Sequence, residues 1–180
     1  LWEESLPLIN GSLKPLIEKQ TILTQGFIGR GLNHKNTTLG REGSDYTAAI
    51  FAYALDAESV TIWKDVDGVM NADPRRFDDA VLIPKLSYNE AIELAYYGES
   101  VLHPKTIQPL KSKAIPLYVK SFLDPKKPGT VVLENASRTL NETQCYIVKE
   151  NQSLITIASK DFSFIVEDNL EIIFNAFNTA

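Results

Sequence analysis

Three segments of the chain carry residues whose types and spacing could do chemistry. The first is Gly40-Arg-Glu-Gly-Ser-Asp45. Its two glycines let the backbone come close to a ligand. Arg41 offers a planar fork that suits a carboxylate or a phosphate. Ser44 supplies a hydroxyl and an N-cap at the start of a helix, a natural place for an anion. Asp45 can position a reacting group or a cation. The same residues also fit an ordinary helix cap with solvated charges, and the residue types alone leave both readings open. The second segment is Trp63-Lys-Asp-Val-Asp-Gly-Val-Met-Asn-Ala-Asp-Pro-Arg75. Asp65, Asp67 and Asp73 with Arg75, in a loop just past a strand end, suit a magnesium-bound nucleotide; a solvated acidic turn fits them as well. The third, Gly26-x-x-Gly29-x-Gly31, has its glycines in the wrong order for a dinucleotide fingerprint. It reads as a tight turn, or as a ligand loop of the kind found at strand ends in open α/β sheets. A Walker A loop is absent, and His34 and His103 lack the spaced carboxylate partners of a metal motif.

These segments need elements to hold them. Ser5 to Lys19 mixes leucine, isoleucine and charge at near-helical spacing, interrupted by Gly11 and Pro15. Thr21-Ile-Leu-Thr24 predicts a short strand into the glycine turn, and Gly31 to Arg41 is polar and irregular. Tyr46 to Leu55 is apolar at nearly every position and alanine-rich, which predicts a helix buried on most sides. Val60 to Trp63 follows as a strand, giving the strand–loop–helix–strand outline of a parallel βαβ unit. Further along, Leu82 to Leu86 predicts a strand and Tyr88 to Tyr97 a helix. Pro104 opens a helix that runs on through Thr106 to Lys113. Leu117 to Val119 and Thr130 to Leu133 predict strands joined by a turn at Asp124 to Gly129. The fold class is therefore α/β with a parallel sheet. Polar residues 134–143 read as a linker. Beyond them Gln144 to Val148 and Leu154 to Ser159 alternate like strands, and Phe164 to Phe177 carries a helical apolar stripe. Those elements amount to the beginning of a second, α+β domain.

Composition sets the outer bounds. Of 180 residues, 44% are hydrophobic and 23% charged, a globular balance with enough chain for a sizeable core. The net charge of −5 argues against a nucleic-acid partner. No apolar run nears the ~20 residues that span a bilayer, which argues against a membrane partner. The single cysteine, Cys145, cannot pair within the chain and fits a reducing cytoplasm. The chain starts at a leucine, with no signal-peptide pattern, and reads as part of a longer protein.

Thr24-Gln-Gly-Phe-Ile-Gly29, Thr37-Thr-Leu-Gly-Arg-Glu-Gly-Ser-Asp-Tyr-Thr47, Trp63 to Val69 with Ala72-Asp-Pro-Arg75, and Val101-Leu-His-Pro-Lys-Thr106 occur in one order and spacing. Together they resemble the aspartate kinase family, over about Thr21 to Val132. The resemblance implies a three-layer parallel-sheet amino acid kinase fold, here in part, with residues 1–133 its ATP-binding half. It implies that 144–180 begin an ACT-like regulatory domain. The activity implied is transfer of the ATP γ-phosphoryl group to the aspartate side chain, toward lysine, threonine and methionine, with ATP and Mg as cofactors. Arg41 and Ser44 would bind aspartate, and Asp45 would organise the catalytic centre. Lys64, Asp65, Met70, Arg75 and Ser100 would surround the nucleotide. An amino-acid effector and a homo-oligomer are implied too. Glu42 stands where a glycine is usual in this family, Lys64 where threonine is common, Met70 where tyrosine is frequent and Ser100 where lysine is frequent. The family's Lys-x-Gly-Gly-Thr/Ser loop is not among these residues, so this stretch alone is expected to show no turnover.

Overall fold

The computed structural model describes residues 2–31, 33–97, 101–136, 144–153, 155–158 and 167–179. The chain divides into two compact units, Leu1–Lys149 and Glu150–Ala180.

The first unit opens with helix α1 (Trp2–Ile17), which runs through both Pro7 and Pro15. Its amphipathic pattern packs against helix α2 (Gly43–Leu55), and that packing outweighs the prolines. Thr21 to Thr24, expected as a strand, joins no ladder, and Leu23 is 99% exposed. A strand forms only where a neighbour takes up its backbone groups, and none of the described residues does so here. A short antiparallel hairpin lies in the stretch that reads as irregular: β1 (Ile28–Arg30) pairs with β2 (Asn36–Thr38).

The main sheet has four strands in the order β3 (Val60–Lys64), β5 (Leu117–Ser121), β6 (Thr130–Leu133), β4 (Lys85–Ser87). The β3–β5 and β4–β6 pairs are parallel, as the βαβ outline requires. The β5–β6 pair is antiparallel, so the sheet is mixed. The cause is local: the turn at Asp124 to Gly129 is too short for a crossover, and a short turn returns the chain antiparallel. Gly129 permits this at φ +73, where an added Cβ would lie 2.1 Å from the Val119 carbonyl oxygen.

Helices α2, α3 (Tyr88–Tyr97) and α4 (Pro104–Ser112) enclose one core with the sheet. Val60, Ile62, Leu117, Val119 and Val132 point inward, every second residue of their strands, and meet Ala49, Ala52, Tyr88, Ala91, Ile107 and Leu110. The alternate residues Thr61, Trp63 and Tyr118 are exposed, so the described part of the α/β architecture shows helices on one sheet face. The buried Tyr88 hydroxyl donates to the Ile115 carbonyl at 2.5 Å. His103 caps α4, its Nδ1 accepting from the Lys105 amide at 3.2 Å.

Asn71 ties the end of this unit to its middle. Its backbone amide donates to the Val81 carbonyl, its side-chain oxygen accepts from the Val81 amide at 2.7 Å, and its Nδ2 donates to the Gln144 carbonyl at 3.1 Å. Its own carbonyl accepts from the Tyr146 amide at 2.7 Å, and the Tyr146 ring stacks on Phe77. Gln144 to Val148, which alternates like a strand, is thus a non-ladder segment fastened to the 71–81 loop. In the second unit the described residues form helix α5 (Glu167–Asn178); the strand expected from Leu154 appears in none of its described positions.

Candidate active site

Helix α2 begins one residue before the expected cap. Its N-cap is Glu42, in the left-handed region at φ 53, with no side-chain bond to the helix; Ser44 sits within the first turn. The change has a steric origin. Gly40, at φ +79, and Glu42 fold the chain tightly, closed by the Gly43 amide donating to the Gly40 carbonyl at 3.0 Å. Gly43 is pressed against Phe27 and Leu39, where a Cβ would meet Phe27 Cδ2 at 2.9 Å. Gly26 packs as closely on Ser44, and the Phe27 amide donates to Thr47 Oγ1 at 3.0 Å. The glycine turn at Gly26 and the Gly40–Asp45 segment therefore form one surface. Gly26 and Gly43 serve close approach of the two segments to each other.

At this surface the Lys64 ammonium, from the end of β3, donates to Asp45 Oδ2 at 2.6 Å. Glu42 Oε2 lies 4.0 Å from the same ammonium. Side-chain exposures are 13% for Asp45, 18% for Glu42 and 22% for Lys64, so water screens these charges poorly. Burial pushes the Glu42 carboxyl up; Lys64 pulls it back, Asp45 pushes it further up, and His103 and Arg41 lower it. Glu42 Oε2 is buried and accepts no hydrogen bond. Arg41 and Ser44 are exposed beside this cluster, at the helix end that carries the positive end of the helix dipole.

The second segment is built differently from its sequence reading. Of its three aspartates, Asp67 is bound by Lys127 at 2.6 Å, and Asp73 accepts from the Arg75 amide and pairs with the Arg75 and Arg76 side chains. Asp65 is exposed and pairs with none of the described residues. Met70 bridges to Leu82, and Arg75 is exposed on the Asp73 side of the loop. Thr130 Oγ1 anchors the loop from below, accepting from the Val69 amide at 2.8 Å and donating to the Ile83 carbonyl at 2.7 Å. Gly68 is required there: at φ +148 a Cβ would fall 2.6 Å from that hydroxyl. The structure thus brings Asp45 and Lys64 together, with Arg41 and Ser44 on the same helix start. It holds Met70 and Arg75 further along the loop by other partners, and Ser100 lies outside the described residues. Glu42 was missed as a member of the cluster, although its departure from the usual glycine was the signal that could have found it. A cavity of about 320 Å³ between α2 and α4, lined by Tyr46, Tyr53 and Lys105 among others, includes none of the candidate residues.

Among the described residues no three potential metal ligands gather, and no helix is long and apolar enough to cross a membrane.

Residues 5–121 match the profile of the amino acid kinase family. The lysine-sensitive aspartokinase 3 of Escherichia coli is 42% identical over 147 residues, 82% of this chain and 32% of that protein. The chloroplastic aspartokinase 1 of Arabidopsis thaliana is 40% identical over 138 residues, 76% of this chain and 24% of that protein. The chain thus spans about a quarter to a third of the length of these relatives. The crystal structure of E. coli aspartokinase III in complex with aspartate and ADP superposes with a TM-score of 0.73 at 41% identity, covering 76% of this chain and 31% of that one. With that match running from α1 through β5 and carrying the Asp45–Lys64 site, the chain belongs to the amino acid kinase family, and its relatives there are aspartokinases.

Proposed function

We propose that the whole protein containing this chain is an aspartate kinase, which moves the γ-phosphoryl group of ATP onto the β-carboxylate of L-aspartate and releases an acyl phosphate and ADP. The observation that carries this reading is the α2 start, where Arg41 and Ser44 stand exposed beside a shielded Asp45–Lys64 pair. It does so in a chain 41% identical to a protein crystallised with aspartate and ADP.

Phosphoryl transfer asks for positioning and charge neutralisation more than for covalent help. In this reading Arg41 forks onto a substrate carboxylate and Ser44 adds its hydroxyl and helix-end amide. Asp45 orders the reacting groups. Lys64 supplies positive charge toward the phosphates, Asp65 is the exposed carboxylate that would hold their magnesium, and Met70, Arg75 and Ser100 flank the nucleotide. Magnesium, bound with the nucleotide, would offset charge on the phosphate oxygens.

We further read 1–133 as the ATP-binding part of the kinase domain and 144–180 as the start of an ACT-like regulatory domain of a cytoplasmic homo-oligomer. An amino-acid effector is part of this reading, because E. coli aspartokinase III was also crystallised with lysine and aspartate, in its T-state. The test is acceptor choice. Purified whole protein with Mg-ATP should release ADP with aspartate and not with glutamate, acetylglutamate or UMP. Preference for another acceptor would replace the reading with a different amino acid kinase, and ATP binding without any turnover would replace it with a non-catalytic module.

A further inference from the structure

Glu42 is an expensive residue to keep where it is. A side chain bearing a Cβ is disfavoured in the left-handed region, yet Glu42 occupies φ 53 at the cap of α2. It makes no cap bond that would justify the position. Its Oε2 is buried and accepts nothing, an uncommon state for a carboxylate oxygen. What it does face is the Lys64 ammonium at 4.0 Å, which is itself bonded to Asp45 at 2.6 Å.

That geometry makes a problem and its remedy visible together. Asp45 is the group the proposed reaction needs, and a shielded lysine holds it through a charge-assisted bond. Such a bond is strong where water is scarce. With no other anion in reach, Lys64 would leave Asp45 only into poorer surroundings. Glu42 provides a second acceptor near the ammonium: a movement of about an ångström would bring Lys64 from 4.0 Å into normal bonding distance of Oε2. Two carboxylates sharing one ammonium leave it mobile between them. Strain and an unfilled acceptor persist at functional positions when the surrounding structure holds them.

We propose that Glu42 is a positioning residue for the reaction: it shares the Lys64 ammonium with Asp45, so that Lys64 releases the Asp45 carboxylate when aspartate and ATP arrive, and the two residues work only as a pair. This rests on the aspartate kinase reading. The charged or titratable groups facing Glu42 are Lys64 from β3, Asp45 from α2, His103 at the cap of α4 and Arg41 beside it. A carboxyl lifted by burial takes up its proton at a higher pH than a free one, and on doing so it stops attracting Lys64.

The experiment is a kinetic cycle on the whole protein: wild type, Glu42→Gly, Lys64→Thr and the double variant, with aspartate and Mg-ATP. Glycine suits φ 53, so Glu42→Gly removes the carboxylate while relaxing the backbone, and Glu42→Gln serves as a second variant that keeps the side-chain size. The expected result is a kcat about tenfold lower for Glu42→Gly, with KM for aspartate little changed. The double variant should be no more than about threefold slower than Lys64→Thr alone, because with no lysine to share, the Glu42 carboxylate has no further effect. Glu42→Gln should behave like Glu42→Gly at neutral pH, and kcat of both should depend less on pH on the acid side than kcat of wild type. A Glu42→Gly enzyme as fast as wild type, or a double variant whose loss is the product of the two single losses, would overturn the pair. Inert wild-type protein would instead overturn the aspartate kinase reading itself, and the pair with it.

Discussion

Thr130→Val tests whether one hydroxyl holds the nucleotide-side loop in place. The substitution keeps the shape of a fully buried side chain and deletes its oxygen. Two groups lose their partner: the Val69 amide, which donates to it at 2.8 Å, and the Ile83 carbonyl, which accepts from it at 2.7 Å. An orphaned buried polar group costs about 1–3 kcal/mol. Val69 is half-buried and recovers part of its loss to water, so the pair should cost about 2–4 kcal/mol in local stability. In hydrogen exchange that is a fall in protection of Val69 by about thirtyfold to a thousandfold. The loop begins at Lys64 and Asp65, so KM for ATP should rise while KM for aspartate stays near its wild-type value. Native-state exchange on the whole protein, read at Val69 and at α2 as an internal control, makes the measurement. Protection at Val69 within about threefold of wild type would refute the claim that Thr130 anchors the loop. An equal loss in α2 would mean that the effect is global.

Other expectations follow from the same structure. Asn71→Ala removes both the acceptor for the Val81 amide and the donor to Gln144, at a cost of about 1–3 kcal/mol; proteolysis should then cut near 144–148 faster, and an unchanged cleavage rate would deny the fastening role. Tyr88 is pushed up to about 12, by burial first and then by the charge of Glu134. A free tyrosine titrates near ~10, so the stability from its neutral form is complete below that pH and is lost as pH rises through about 12. Urea melts across that window should fall for wild type and fall less steeply for Tyr88→Phe; parallel slopes would contradict the assignment. Arg41→Ala should chiefly raise KM for aspartate, whereas a fall in kcat alone would move Arg41 out of the substrate-binding role.

Much of the first unit was legible because its signals are local. The apolar run of Tyr46 to Leu55, the start of α4 at Pro104, and the alternation in Val60 to Trp63 and Leu117 to Val119 each correspond to an element. The β1–β2 hairpin was not legible, because Asn36-Thr-Thr38 is polar on both faces and shows no period. The Thr21 to Thr24 strand failed for the opposite reason: its residues suit a strand, but a ladder depends on a neighbour that local sequence does not reveal. The turn at Asp124 to Gly129 was read, while its consequence, an antiparallel pair inside a parallel sheet, was not drawn from it. In the site, the residue types pointed to Arg41, Ser44 and Asp45 and the family resemblance to Lys64, but neither pointed to the bond between Asp45 and Lys64 or to the displacement of the cap to Glu42. Glutamate is a poor residue for a left-handed cap, so propensity favoured Ser44. Asn71 escaped notice because its key partner, Gln144, is 73 residues away in the chain.

The central claim is that the α2 start directs phosphoryl transfer to an aspartate carboxylate. The most direct measurement traps the acyl phosphate with hydroxylamine while the whole protein works on Mg-ATP and aspartate, for wild type and for Asp45→Ala. The account predicts aspartyl hydroxamate from wild type in step with ADP release. It predicts at least a hundredfold less, roughly, from Asp45→Ala, with ATP affinity retained. Hydroxamate formed by Asp45→Ala at the wild-type rate would contradict it.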